Sequence, residues 1–463
     1  MKEKTRSEHD SMGSVEVPKN AYWGASTQRA AENFDVSPYR IPPALIRALA
    51  LIKLAAAKAH LKGGGLQAEQ AKAVIRAAEE VEKGRFDDQF PVDVFQTGSG
   101  TSWNMNMNEV LAQRAAELLE KEGGPDRKIH PNDVVNKGQS SNDVIPTAIN
   151  IACRLEGEKL LAETTALQET LLKKEREFAG IVKLGRTHLQ DAVPLTLGQE
   201  ISGWKEQIRR VSHRLKLAIE ECRYVPLGGT ALGTGLNSST VFAKRAVWEI
   251  SRRTGISFGG GGHRFAGIAA RDENLALMGA LNEIAVVYTK IAQDLRLLSA
   301  GPRGGFGEIR LKALQPGSSI MPGKVNPVIP EMVLQASAFV MGKYTSVTVA
   351  AQNAPLQLNI MQPLIAHELL GSIDLLTRVT RRFRREAVES MEADEERCLK
   401  WVYESLALVT PLARHIGYDR AAELAHRAYS ENRDLFDVAL EEEIMGKEEL
   451  EQVLNPRNMV GPF

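Results

Sequence analysis

The chain has 463 residues, and its 58 Lys plus Arg are matched by 58 Asp plus Glu, so it carries no formal net charge. A neutral surface gives no long-range pull toward nucleic acid or an acidic membrane, and an anionic ligand must be caught by local groups. The three cysteines, Cys153, Cys222 and Cys398, are scattered and lack CxxC spacing, which argues against a disulfide framework or a zinc site and fits a reducing compartment.

The length predicts roughly three domains, read here as 1–138 (mixed, mainly helical), 139–394 (a long-helix bundle) and 395–463 (small and helical). The N-terminal stretch MKEKTRSEHD is charged with no apolar core behind it, unlike a signal peptide, and no apolar run approaches a membrane span. The expectation is a soluble cytoplasmic protein without nucleic-acid or membrane partners. Residues up to about 40 are turn-rich. An Ala-rich helical stretch runs from Ile41 to Lys83, broken at Gly63-Gly64-Gly65. At 95–109, FQTGSGTSWNMNMNE begins as a Gly-rich turn and enters a helix, and 126–143, DRKIHPNDVVNKGQSSND, is polar and irregular.

Three long helices follow, each with a heptad-like stripe. The first carries Leu160, Thr164, Leu167, Leu171 and Phe178. The second carries Leu197, Ile201, Trp204, Ile208, Val211, Leu215, Ala218 and Cys222. The third carries Leu277, Leu281, Ile284, Tyr288, Ile291, Leu295 and Leu298. Such a repeat keeps one seam facing its partners at shallow crossing angles. The second helix alone spans roughly 39 Å at 1.5 Å per residue, long enough to suggest a bundle shared between subunits. Two further helical stretches are expected near 331–349 and 363–392. The glycine clusters at 228–235, 259–262 and 301–307 fit neither GxGxxG nor a P-loop and are read as loops.

Four polar stretches exceed what a bundle needs. Ser99-Gly100-Thr101 sits in a Gly-rich turn, and Ser140-Ser141-Asn142 precedes a helix, where such residues also serve as caps. Gly185-Arg186-Thr187-His188 interrupts two long helices. The fourth, GSSIMPGKVNPVIPE at 317–331, has too many breakers for a regular element, yet its apolar residues mark an ordered loop. Its Gly317-Ser318-Ser319 turn can aim backbone N–H groups at an anion, with Lys324 and Asn326 beside it. Together these stretches offer hydroxyls, amides, a lysine and an imidazole, but no cysteine nucleophile and no metal-ligand set. That inventory suits a small dicarboxylate held by many hydrogen bonds beside one acid/base pair, with no metal and no organic cofactor. His188 alone reads more readily as a structural histidine, and Glu331 reads as a helix N-terminal acid. As a pair, the carboxylate would hold the imidazole in one tautomer.

The 317–331 loop closely resembles the signature GSSxMPxKxNP of the fumarase/aspartase superfamily. WGASTQR near residue 23, QTGSGTSWNMNMNEV at 96–110, HPNDVVNKGQSSND at 130–143, GRTHLQDAVPLTLGQE at 185–200 and GGTALGTGLN at 228–237 extend the likeness over nearly the whole chain, toward the class II fumarases. The resemblance implies an all-α, three-domain fold with a central long-helix bundle shared in a homotetramer. It implies active sites built from three subunits, which accounts for the wide spacing of the polar stretches, and reversible hydration of fumarate to (S)-malate without a cofactor. On this likeness Ser99, Thr101, Ser140, Ser141 and Asn142 meet the substrate carboxylates, Thr187, Lys324 and Asn326 bind from neighbouring chains, and Gly100, Ser319 and Val325 complete the substrate-binding set. Ser318 is the candidate base for the C3 proton, and His188, oriented by Glu331, handles the C2 hydroxyl through water. A second dicarboxylate site corresponds to Arg127, His130, Pro131, Asn132 and Asp133. Two features depart from the pattern: Trp103 is large beside the GSGT turn, and Val328-Ile329-Pro330 with Gln357-Leu358-Asn359 resembles aspartases equally. An aspartate ammonia-lyase is therefore the alternative reading, and a non-enzymatic helical scaffold a third. QTGSGT, QSSND, WGASTQR, HPND and GGTA favour the fumarase side.

Overall fold

Every heptad residue named above is buried, from Leu160 to Leu298, so the stripes are the seams of a helical core. The protein is described by a computed structural model covering residues 4–121, 129–259 and 263–461. The three long helices are Ser141–Glu177, Leu197–Glu221 and Asp272–Leu298, followed by Val328–Gln352 and Gln362–Phe383. The Ala-rich stretch forms Pro43–Gly63 and Ala68–Glu82. It breaks where expected, because Gly64 adopts φ 69°, a left-handed cap that glycine takes without steric cost. Asp272–Leu298 is the one described helix long and apolar enough to cross a membrane, contrary to the expectation of no such run. Its seven heptad residues, spaced along one stripe, are buried against protein instead.

The chain divides into two compact units. The first comprises Met1–Leu161, His213–Glu283 and Ala338–Thr377, and the second Ala162–Ser212, Ile284–Ser337 and Arg378–Phe463. In the first unit an antiparallel hairpin, Thr5–Asp10 with Gly13–Pro18, replaces the expected irregular N-terminus. Arg6 holds it to the next stretch by donating to the carbonyls of Pro18, Lys19, Ala21 and Trp23. A helix not foreseen, Thr240–Thr254, starts where Ser239 Oγ accepts from the Phe242 amide at 3.1 Å and ends at Gly255 in a left-handed conformation.

In the second unit the break at 185–188 is a β-hairpin, Val182–Thr187 with Gln190–Thr196. His188 and Leu189 form its turn with φ of 55° and 59°, the positive pair that a two-residue hairpin turn demands. Gly185 lies at a bulge, and a Cβ there would sit 2.4 Å from the Val193 carbonyl oxygen, so only glycine fits. Val182 and Leu184 bury one face of the hairpin in a core with Val402, Leu408, Leu412, Leu424 and Val438. The C-terminal helical piece thus carries the His188 hairpin.

Candidate active site

In the first unit the QTGSGT turn and the start of the 141–177 helix bring three hydroxyls into one chain. Ser99 Oγ lies 2.8 Å from Thr101 Oγ1, which lies 2.7 Å from Ser141 Oγ. Gly100 takes φ 71° to make the turn. Gly98 has a stricter reason to be glycine: a Cβ would stand 1.7 Å from the Ile360 carbonyl oxygen, where the Gln362 amide also docks on the Gly98 carbonyl at 3.0 Å. Trp103 is no intruder in this site. It is buried in the core and donates its indole N–H to the Val92 carbonyl at 3.2 Å. Ser140 Oγ accepts from the Asn142 amide at 3.2 Å, and Asn142 Nδ2 donates to the Ala231 carbonyl at 2.8 Å. Beneath them are two buried charges. Burial pushes the Asp143 carboxyl up to about 6 and the Lys53 ammonium down to about 7, each opposed by the attraction of the other.

In the second unit the 317–327 segment is an ordered loop. Gly317 N–H donates to the Lys324 carbonyl at 2.8 Å and Asn326 Nδ2 to the Gly317 carbonyl at 2.9 Å, closing its neck. Within it Ser318 Oγ accepts from the amides of Ile320 at 3.2 Å and Met321 at 3.0 Å. Two fixed N–H dipoles on a serine oxygen favour its anionic form, the condition for serine to act as a base. Ser319, Lys324 and Val325 are exposed beside it, and among the described residues no acid partners Lys324. The helix begins at Val328, so Val328 to Glu331 belong to its first turn rather than to the loop. Thr187 and His188 are exposed at the hairpin tip, which is anchored from below. Glu308, fully buried, lies 2.8 Å from Arg186 Nη1 and 3.2 Å from Lys183 Nζ, and Lys183 also lies 3.0 Å from Glu200. Arg186 stacks over Phe306 at 4.0 Å. Within one chain neither hydrogen bond nor ion pair joins His188 to Glu331, although both belong to this unit.

Residues 13–342 match the family described as Lyase, and residues 408–461 the family described as Fumarase C C-terminus. The Fumarate hydratase class II of Myxococcus xanthus is 46% identical over 457 residues, covering 98% of each chain. That of Xylella fastidiosa (strain Temecula1) is 47% identical over 452 residues, covering 97% of this chain and 94% of its own. The chain belongs to the class II fumarase family. The class II fumarase of Schistosoma mansoni superposes with a TM-score of 0.95 at 37% identity over 99% of this chain and 100% of its own. A fumarate lyase:delta crystallin from Brucella melitensis gives 0.94 at 44% identity over the same shares. The helical architecture is thus the all-α fumarase/aspartase fold.

The second dicarboxylate site of the fumarase resemblance falls on a short π-helical turn, Pro131–Val135. His130 caps it, with Nδ1 accepting from the amides of Asn132 at 3.2 Å and Asp133 at 3.1 Å, which leaves Nε2 to carry the proton. The Asp133 carboxylate is 3.2 Å from the same Nδ1, but that lone pair already serves the two backbone amides. Arg127 lies outside the described residues. Sequence reasoning missed Lys53, Glu109 and Glu308. Lys53 signals itself as a charge between Ile52 and Leu54 in an Ala-rich helix. Glu109 is buried and accepts from the amides of Gly24 at 2.9 Å, Ser26 at 3.0 Å and Thr27 at 3.1 Å, fixing the start of the WGASTQR helix. For Glu308 no local pattern announces the role.

Proposed function

We infer that the protein is a hydro-lyase interconverting fumarate and (S)-malate. The observation that carries this is the serine of the 317–327 loop, its oxygen seated on two backbone amides in a chain 46% identical to a fumarate hydratase. In the dehydration of malate to fumarate Ser318, as alkoxide, takes a proton from C3. The electron pair moves into the adjacent carboxylate, giving a dianionic aci-form that Lys324 and the amide of Asn326 stabilise as fixed donors. The pair then returns to form the double bond as the C2–O bond breaks. The hydroxide departs as water with a proton supplied through His188, and Ser318 releases its proton to solvent. Ser99, Thr101, Ser140, Ser141 and Asn142 hold the carboxylates as neutral donors.

The assembly we propose is a cytoplasmic homotetramer in which Glu331 of one chain can face His188 of another. Leu217, Val286, Phe339 and Val349 stand exposed on long helices, apolar surface of the kind that subunit contacts cover. The substrate choice is tested by following fumarate absorbance with malate, aspartate and argininosuccinate at neutral pH. The reading requires turnover of malate and little or none of the others. An aspartate kcat/KM equal to or above that of malate would make the protein an ammonia-lyase.

A further inference from the structure

We propose that Lys53 and Asp143, a pair of oppositely charged side chains buried behind the Ser140–Asn142 turn, are positioning residues that set the substrate-binding geometry of that turn from both ends. The inference rests on the dicarboxylate-binding role given to the turn above. Asp143 acts from the C-terminal side. Its Oδ1 accepts from the Ser140 amide at 2.9 Å, and its Oδ2 accepts from the amides of Gly228 at 2.9 Å and Thr230 at 2.8 Å. Those two residues take φ of 88° and 54°, and for threonine the left-handed region is costly unless the surroundings impose it. The carboxylate imposes it here. The next residue of the same loop, Ala231, supplies the carbonyl that receives Asn142 Nδ2. Asn142 is thereby fixed with one amide hydrogen committed and its oxygen free.

Lys53 acts on the N-terminal side. Its ammonium, fully buried, donates to Asn136 Oδ1 at 2.8 Å and Gln139 Oε1 at 3.1 Å. Asn104 Nδ2 donates to the same Asn136 oxygen at 3.2 Å, and Gln139 returns its own amide to the Val135 carbonyl at 3.1 Å. Gln139 directly precedes Ser140 in the chain. A buried ammonium with only neutral amides around it is costly to retain. Asp143 supplies the opposing charge, so each ion makes the other tolerable while its hydrogen bonds are spent on the turn's two flanks. Burial of this kind also keeps water from competing for those bonds.

The test compares Lys53→Met, which keeps the alkyl volume and removes the charge, with Asn136→Ala, which cuts the same connection more gently. KM and kcat for malate are measured on the assembled protein, together with the affinity for succinate, a non-reacting dicarboxylate, by calorimetry. The expected result is a KM raised about tenfold, the worth of a hydrogen bond to a charged group, an equal weakening of succinate, and kcat nearly unchanged, the pattern of lost uniform binding. A lower unfolding temperature with KM and succinate affinity unchanged would reduce the pair to a structural role and overturn the proposal. So would a fall in kcat alone. Should Lys53→Met fail to fold, Asn136→Ala decides by the same readings. Wild-type protein that binds succinate but does not turn over malate would fault the proposed reaction, not this inference.

Discussion

Replacing Glu308 by Gln should loosen the hairpin that carries Thr187 and His188 while leaving the rest of the second unit folded. The buried cluster contains two cations, Lys183 and Arg186, and two anions, Glu200 and Glu308. Glutamine keeps the shape but leaves one positive charge uncompensated beside a fully buried position. Breaking a buried pair by removing one partner costs about 3–5 kcal/mol. The lower end applies, for two reasons. Lys183 retains Glu200 at 3.0 Å. Its ammonium also hydrogen-bonds the Leu184 carbonyl at 3.2 Å, and no aligned bond reaches Glu308 Oε2, so that contact is one of charge alone. A loss of about 3 kcal/mol corresponds to a rise of about a hundredfold in the opening equilibrium. Native-state hydrogen exchange of the strands 182–187 and 190–196 measures it, with the 197–221 helix as internal reference. Because the pair is buried, the effect should persist at high salt. Unchanged protection of the hairpin amides in Glu308→Gln would refute the claim that this cluster holds the His188 turn.

Ser318→Ala should lower kcat by about 10²–10⁴, the usual worth of a general base, with KM little changed and the loop intact, because the bonds closing its neck do not involve the hydroxyl; near-normal kcat would remove Ser318 from the reaction. Gly98→Ala should cost at least about tenfold in kcat/KM, since a small displacement of binding groups is expensive and a Cβ at 1.7 Å from the Ile360 carbonyl oxygen must push the turn away; full activity would show that the turn does not need that docking. Sedimentation should find the active species to be a tetramer, and a fully active monomer would contradict the shared-site assembly.

The helical seams were legible because burial leaves a periodic trace: each Leu, Ile or Trp of the three stripes is buried where its spacing placed it. The Ser318 loop was legible because a run of breakers with few charges must be held by its own bonds, as the Gly317–Lys324 and Asn326–Gly317 contacts do. The 182–196 hairpin was not. Its alternation is hidden by Gly185 at a bulge, and its turn uses His188 and Leu189 where asparagine and glycine would have announced it. The buried carboxylates Asp143 and Glu308 were invisible for a different reason. Asp143 meets the loop at 228–230 from about 85 residues away, and Glu308 meets Arg186 across 122 residues. Such pairings depend on the tertiary fold, which no local pattern encodes.

The most direct test of the reaction is hydration of fumarate in D2O, followed by proton NMR of the malate formed. One residue delivering hydrogen to C3 while water enters at C2 on the opposite face predicts a single monodeuterated diastereomer of (S)-malate, with deuterium anti to the new hydroxyl and a single vicinal coupling constant. A mixture of diastereomers, malate without deuterium at C3, or no malate would contradict the account.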